Sequence, residues 1–154
     1  MEHGASGGRN AAGGIDPETL TGWTLVRTGR AMGDRFLRLF ADHGVTKHQF
    51  GVLVRLSREP GVSQAALARE ILVTPQSVGP ILREMERVGL LRRIEPGTPG
   101  RAVAVEITPA GRRTLAVVGP AVAELNRPES LGLTADEARD LGRLLHRVHD
   151  HLSG

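Results

Sequence analysis

The chain has no cysteine in its 154 residues. Thiolate nucleophiles, thiolate metal sites and cysteine-based redox sensing are therefore all excluded. Nor does it hold a run near the roughly eighteen consecutive apolar residues that a membrane-crossing helix needs. With 40% hydrophobic content, it reads as a soluble globular chain without a membrane partner. The N-terminus lacks an apolar signal segment, which points to a cytoplasmic protein. No glycine-rich turn joins a strand to a helix, so a phosphate cradle is missing. Serine, histidine and aspartate occur in no recognisable catalytic arrangement, and the expectation is a non-enzyme with no cofactor.

Lysine is scarce too: Lys47 is the only one, and the other basic side chains are arginine. Arginine suits bidentate contacts to phosphate and guanine. The formal net charge is +3, distributed as +2 over residues 1–62, +3 over residues 63–113 and −2 over residues 114–154. The positive excess thus lies outside the C-terminal segment, where a phosphate-facing body would need it. The length fits one domain with a core of its own.

Residues 1–15 are rich in glycine and alanine, and a disordered tail is expected there. Residues 16–154 form one domain. Asp16-Pro17 is a cap followed by proline and opens a long helix to about Asp42, striped by Leu25, Met32, Phe36, Leu39, Phe40 and His43. Thr46 with Gln49 is a capping box, opening a helix to about Arg58 whose inner face includes Phe50, Leu53, Val54 and Ser57. Glu59-Pro60-Gly61 is a turn signal. A pair of short helices follows. The first covers residues 64–72, capped by Ser63, with Leu67, Ala68, Ile71 and Leu72 on one side. After a turn at Val73 and Thr74, Thr74-Pro75 caps and opens the second. Val78, Ile81, Leu82, Met85 and Val88 recur at helical spacing as its buried stripe, and Gly89 ends it.

Residues 90–95 and 102–107 read as two strands joined by the tip Pro96-Gly97-Thr98-Pro99-Gly100. Thr108-Pro109 starts a fifth helix carrying Leu115, Val118, Val122 and Leu125, with a kink expected at Pro120. Asn126 onwards breaks the pattern. Thr134 with Glu137 is a second capping box, and the last helix runs to about Leu152 with Leu141, Leu144, Leu145 and Val148 inside. The fold class is mainly α: a winged helix-turn-helix of six helices, with one β-hairpin wing between the fourth and fifth. Residues 46–108 make the reader. The stripes of residues 16–44 and 109–152 exceed what a reader of that size needs, which suggests that two copies pair through them.

Three segments carry a family resemblance: Gln64-Ala65-Ala66-Leu67-Ala68; the stretch Leu82-Arg83-Glu84-Met85-Glu86-Arg87-Val88-Gly89-Leu90-Leu91-Arg92-Arg93; and Ile107-Thr108-Pro109-Ala110-Gly111. In this order and spacing the chain resembles the MarR (multiple antibiotic resistance regulator) family of bacterial transcription factors, over about residues 20–152. The resemblance implies a homodimer that controls genes, often its own neighbours, and often releases DNA on binding a small anionic or aromatic ligand. The chain departs from the family pattern twice. Pro99 stands where an Asp usually precedes the wing arginine, Arg101, by two residues. Gly79-Pro80 stands where the reading helix often has a polar or basic residue, and a local kink is expected there.

The expected DNA-facing set is Ser63, Gln64, Thr74, Gln76, Ser77, Arg83, Arg92, Arg93 and Arg101. Gln76 and Ser77 lie in the first turn of the reading helix, where base edges are reached, and glutamine can bond adenine bidentately. Arg83 lies two turns on, suited to phosphate or guanine. Arg92 and Arg93 alternate along a strand, so that one faces DNA backbone and the other solvent. Arg101 at the ribbon tip suits a narrow minor groove. Trp23, Arg27, His43 and His48 are candidates for an effector site. For Trp23, core or interface packing is the alternative; for His43 and His48, an ordinary structural role. His146, His149, His151 and Asp150 sit in a polar helix end where histidine complements the helix dipole, and no metal is expected. The expected function is a ligand-responsive DNA-binding regulator, acting on a near-palindromic operator as a homodimer. The competing class is a winged-helix adaptor or anti-repressor that does not read DNA, for which Gly79-Pro80 gives some footing.

Overall fold

A computed structural model of the chain describes residues 16–59, 62–94 and 105–154. The expected tail, the Pro60-Gly61 turn, the Pro96 to Gly100 tip, Pro99 and Arg101 lie outside the described residues. The elements are α1 (Thr21–Asp42), α2 (Lys47–Arg58), α3 (Gln64–Glu70), α4 (Pro75–Arg87), β1 (Leu91–Arg93), β2 (Val105–Ile107), α5 (Pro109–Leu125) and α6 (Ala135–Ser153). The predicted order of six helices and one ribbon is therefore met. The two strands pair antiparallel, with Leu91 opposite Ile107, Arg92 opposite Glu106 and Arg93 opposite Val105. The chain divides into two units, one up to Arg38 and one from Leu39.

In the first unit Asp16 does cap, but it caps a 3-10 turn, Pro17–Thr19, by accepting from the Glu18 amide at 3.0 Å. Leu20 is extended, so the long helix begins at Thr21 and not at Pro17. Arg27 pairs with Glu18 at 2.6 Å.

The core of the second unit is built from α2, α3, α4 and the ribbon. Val52, Leu53 and Leu56 meet Leu67, Ala68 and Ile71, with Val78, Leu82 and Met85 across from them and Leu91, Val105 and Ile107 closing one end. Each fully buried side chain of this size contributes on the order of 1.5–3 kcal/mol. The inner face of α2 differs from expectation. Val52 and Leu56 join Leu53, while Phe50 and Val54 are half-buried and Ser57 is exposed. At helical spacing, 52-53-56 and 50-53-54-57 are adjacent stripes, and a pattern with this many apolar positions does not choose between them. Val88 is 45% exposed because α4 has already ended at Arg87.

α1, α3 and α4 end by one device. After α4, the Leu90 amide bonds back to the Met85 carbonyl and the Gly89 amide to that of Glu86, with Gly89 at φ 77°. After α1 the Val45 and Gly44 amides do the same to Phe40 and Ala41, with Gly44 at φ 65°. This is a left-handed C-terminal cap that glycine adopts without strain. After α3 the same bonds form from Val73 to Ala68 and from Leu72 to Arg69, yet the left-handed residue is Leu72, at φ 57°. A side chain there costs about 1–2 kcal/mol, and Leu72 is 81% exposed. Its expected place on the buried side of α3 is thus overturned: the cap geometry turns it out to solvent.

α4 and α5 run on through Pro80 and Pro120, so neither proline ends its helix. Both prolines follow a glycine, Gly79 and Gly119. A residue before proline is pushed away from helical angles partly through its Cβ, and glycine has none. Relative to alanine at both positions, a mid-helix Gly-Pro still costs about 4 kcal/mol. On α6 the capping box of Thr134 and Glu137 forms as expected. Its stripe does not lie inside: Leu141, Leu144, Leu145 and Val148 are each about 40% exposed, and the helix has no buried residue.

Candidate nucleic-acid interface

α4 has two faces of opposite character. Val78, Leu82 and Met85 are buried beneath it. Gln76, Pro80, Arg83 and Arg87 follow at spacings of four, three and four, and so make a ridge on the opposite side; all four are exposed. Arg87 is held by Glu84, with bonds of 2.7 and 2.6 Å, and this bond keeps the Glu84 carboxyl below the usual carboxylate range. Arg83 is bound to neither Glu84 nor Glu86, and among the described residues no hydrogen bond or ion pair holds it. A methyl group on Gly79 would lie 3.3 Å from Arg83 Nη1, so the guanidinium runs back along the bare side of that turn.

The first turn is arranged differently from expectation. Thr74 is the N-cap residue of α4 but makes no side-chain bond to the helix amides; its Oγ1 lies 2.8 Å from Ser77 Oγ. Proline at the first position has no amide to cap, and the Ser77 amide is already bonded to the Thr74 carbonyl at 2.9 Å. Ser77 is half-buried and its hydroxyl is engaged, whereas Gln76 is exposed. Ser63 uses its hydroxyl to cap α3, accepting from the Ala66 amide at 3.1 Å, and Gln64 beside it is exposed.

On the ribbon, Leu91 is buried and both arginines are exposed. Arg92 is ion-paired across the strands with Glu106. Arg93, one residue on and thus on the other side, reaches Glu86 of α4 at 3.0 Å. Neither faces solvent alone, because each has an acidic partner. The base of the wing is braced by Thr108. Its Oγ1 lies 2.6 Å from the Gly89 carbonyl oxygen and 3.1 Å from that of Leu90, and it accepts from the Gly111 amide at 3.0 Å. Nothing in the sequence marked Thr108 beyond its capping role. The half-buried Arg55, which no local motif marks, ties α2 to Glu59 and to Glu70 of α3, at 2.8 and 3.1 Å.

Of the effector candidates, Trp23 and Arg27 belong to the first unit, where Trp23 is half exposed and Arg27 is paired with Glu18. In the second unit His43 lines two open depressions. One, of about 440 Å³, is bounded also by Thr46, Gln49, Glu84, Leu90 and Thr114; the other, of about 250 Å³, by Arg113, Thr114, Val117 and Val118. His43 is exposed, not part of a buried stripe, and its Nδ1 lies 2.8 Å from the Leu39 carbonyl oxygen. His48 lines neither depression, and burial, with Lys47 next to it, holds it below the ordinary histidine range. Among the described residues no group of three or more histidine, aspartate or glutamate side chains could hold a metal ion, and no helix is long and apolar enough to cross a membrane.

The MarR family model matches residues 43–102, which span α2, α3 and α4. The chain is also 32% identical over 136 residues to the HTH-type transcriptional repressor Rv2887 of Mycobacterium tuberculosis, covering 88% of this chain and 97% of that one. The chain belongs to the MarR family of transcriptional regulators. Solved structures of MarR proteins share its fold. Rv2887 in complex with DNA superposes with a TM-score of 0.67 at 28% identity, covering 84% of this chain and 98% of that chain. Rv2887 with salicylic acid gives 0.65 at 29%, covering 84% and 96%. The PcaV regulator of Streptomyces coelicolor with its natural ligand gives 0.71 at 26%, covering 89% and 96%.

Proposed function

We propose that this MarR-family regulator binds a near-palindromic operator as a homodimer, with α4 of each protomer in a major groove. The observation that carries the reading is the exposed ridge of α4, where Gln76 and Arg83 project opposite the buried Val78, Leu82 and Met85. The arrangement supports base contact by Gln76 and phosphate or guanine contact by Arg83, with Gln64 at the backbone. Ser63, Thr74 and Ser77 are better placed to shape the turn than to read bases, since their hydroxyls are engaged. Arg92, Arg93 and Arg101 are assigned to the flanking backbone or minor groove. Pairing of two copies is supported by the exposed stripe of α6, Leu141, Leu144, Leu145, Val148 and Leu152. The His43 depressions, the smaller of them edged by Arg113, suit a small aromatic acid. Such an effector acts only as far as it binds two spacings of the readers with different affinity.

The test is binding of the full chain to the DNA upstream of its own gene, followed by fluorescence anisotropy over a salt series. Affinity should fall steeply with salt, and Arg83→Ala should weaken binding by about 1–3 kcal/mol and reduce the salt slope by about one. Salicylate and related aromatic acids should release the DNA. Failure to retain the duplex at low salt, with tight salt-insensitive binding to a protein instead, would overturn the reading in favour of an adaptor.

A further inference from the structure

The ridge that would meet the bases is not uniformly polar. Between Gln76 and Arg83 stands an exposed proline ring, one turn from each. Its apolar carbons can make no hydrogen bond, and Pro80 has no amide to give the Gln76 carbonyl. Gly79 beside it lacks a side chain, so the ridge drops on that side, and only the mobile end of Arg83 lies near the gap. A Gly-Pro pair in a helix interior is costly, and neither residue fills core space here: Pro80 is exposed and a Cβ on Gly79 would meet nothing but Arg83 Nη1. What the pair offers outward is a small, rigid apolar knob next to a bare strip of backbone, on the face of α4 opposite the core.

In a major groove the one apolar group on any base edge is the C5-methyl of thymine. We propose that Pro80 is a specificity-determining residue that packs on a thymine methyl, with Gly79 letting the helix approach closely enough for contact. The proposal rests on the DNA-binding reading above. Along the helix axis Gln76 and Pro80 are separated by about 6 Å, and Pro80 and Arg83 by about 4.5 Å. Base pairs repeat every 3.4 Å or so. The thymine therefore lies within about two base pairs of the base read by Gln76 and of the group met by Arg83.

Deoxyuridine differs from thymidine only by that methyl group, which makes the test direct. The region protected by the full chain is footprinted on the DNA upstream of its gene, and each protected thymine is replaced in turn by deoxyuridine. One thymine in each half of the region should respond, with binding about fourfold weaker, the effect of one buried methyl. Pro80→Ser should bind the thymine and deoxyuridine duplexes equally. Removing a mid-helix proline favours the helix, and the scan on the unaltered chain needs no variant. A scan that is flat at every thymine, or a deoxyuridine loss that persists undiminished in Pro80→Ser, overturns the proposal while leaving DNA binding in place. A chain that retains no duplex at low salt overturns the DNA-binding reading and this proposal together.

Discussion

Gly111→Ala should destabilise the protein although it replaces glycine by the best helix former. Gly111 is buried in the first turn of α5, where its amide bonds to Thr108 Oγ1 at 3.0 Å. A Cβ there would lie 2.3 Å from the Leu90 carbonyl oxygen, 2.8 Å from Ile107 Cγ2 and 3.2 Å from Leu53 Cδ2. The Leu90 oxygen cannot step aside alone, because it also accepts from the Thr108 amide at 3.1 Å. Relief must therefore come from moving the start of α5 away from the foot of β1. Overpacking of this kind typically costs about 1–3 kcal/mol and occasionally more, while alanine returns up to about 1 kcal/mol of helix propensity. A backbone contact this short lies at the upper end, so the net loss should be about 2 kcal/mol. For a chain of this length that lowers Tm by roughly 4–8 °C. The assay is thermal unfolding by circular dichroism at one fixed protein concentration, since pairing would make Tm depend on it. An unchanged or raised Tm would refute the close approach of α5 to the wing base. DNA affinity measured well below Tm should fall as well, because the ribbon hangs from the same junction.

Four other outcomes follow from the same geometry. Pro80→Ala should raise stability by about 2–3 kcal/mol, and Gly79→Ala should destabilise the natural chain but stabilise the Pro80→Ala background; additive effects in urea unfolding would contradict the role given to Gly79. Leu72→Gly should raise Tm by roughly 1–4 °C, relief of the left-handed strain exceeding the entropy cost of glycine; a lower Tm would mean that the exposed side chain packs on something. If two copies pair as proposed, Leu144→Glu with Val148→Glu should leave helix content unchanged and shift the protein from dimer to monomer in sedimentation, and persistence of the dimer would remove α6 from the pairing surface. Glu106→Gln should free Arg92, tightening binding to DNA at low salt and steepening the salt slope; unchanged binding would place Arg92 away from phosphate.

Local chemistry explains why some features were readable in advance. Capping boxes at Thr46 and Thr134 and the glycine stop at Gly89 involve residues within five positions of each other, and all three form as expected. The Leu72 stop was missed because its signal, a glycine, is absent; the cap is dictated by the sharp turn between α3 and α4 and imposed on a leucine. Burial on α2 went astray because too many apolar positions offered two faces, and only packing against Leu67 and Val78 chose one. The site divides in the same way. Gln76 and Arg83 were legible from spacing along one helix. The partners of Arg92 and Arg93 lie 14 residues later and 7 residues earlier, and depend on strand register and helix placement.

These pairings also bear on how the charge acts. Residues 63–113 carry eight arginines against five acidic residues, which suggests a broad phosphate-binding surface. Three of those arginines, Arg87, Arg92 and Arg93, have carboxylate partners, while Arg69, Arg83, Arg112 and Arg113 have none among the described residues. Exposed pairs of this kind are worth only about 0–1 kcal/mol, so a phosphate could draw Arg92 or Arg93 away at little cost; their side chains are 70% and 61% exposed. What the pairs do cheaply is cancel charge when no DNA is present. On α4 itself Arg83 is then the cation left free, beside the knob of Pro80, on the face that would enter the groove. A weak general attraction with a free cation on the reading helix favours discrimination between sequences over indiscriminate binding, as a regulator competing against a genome of wrong sites requires.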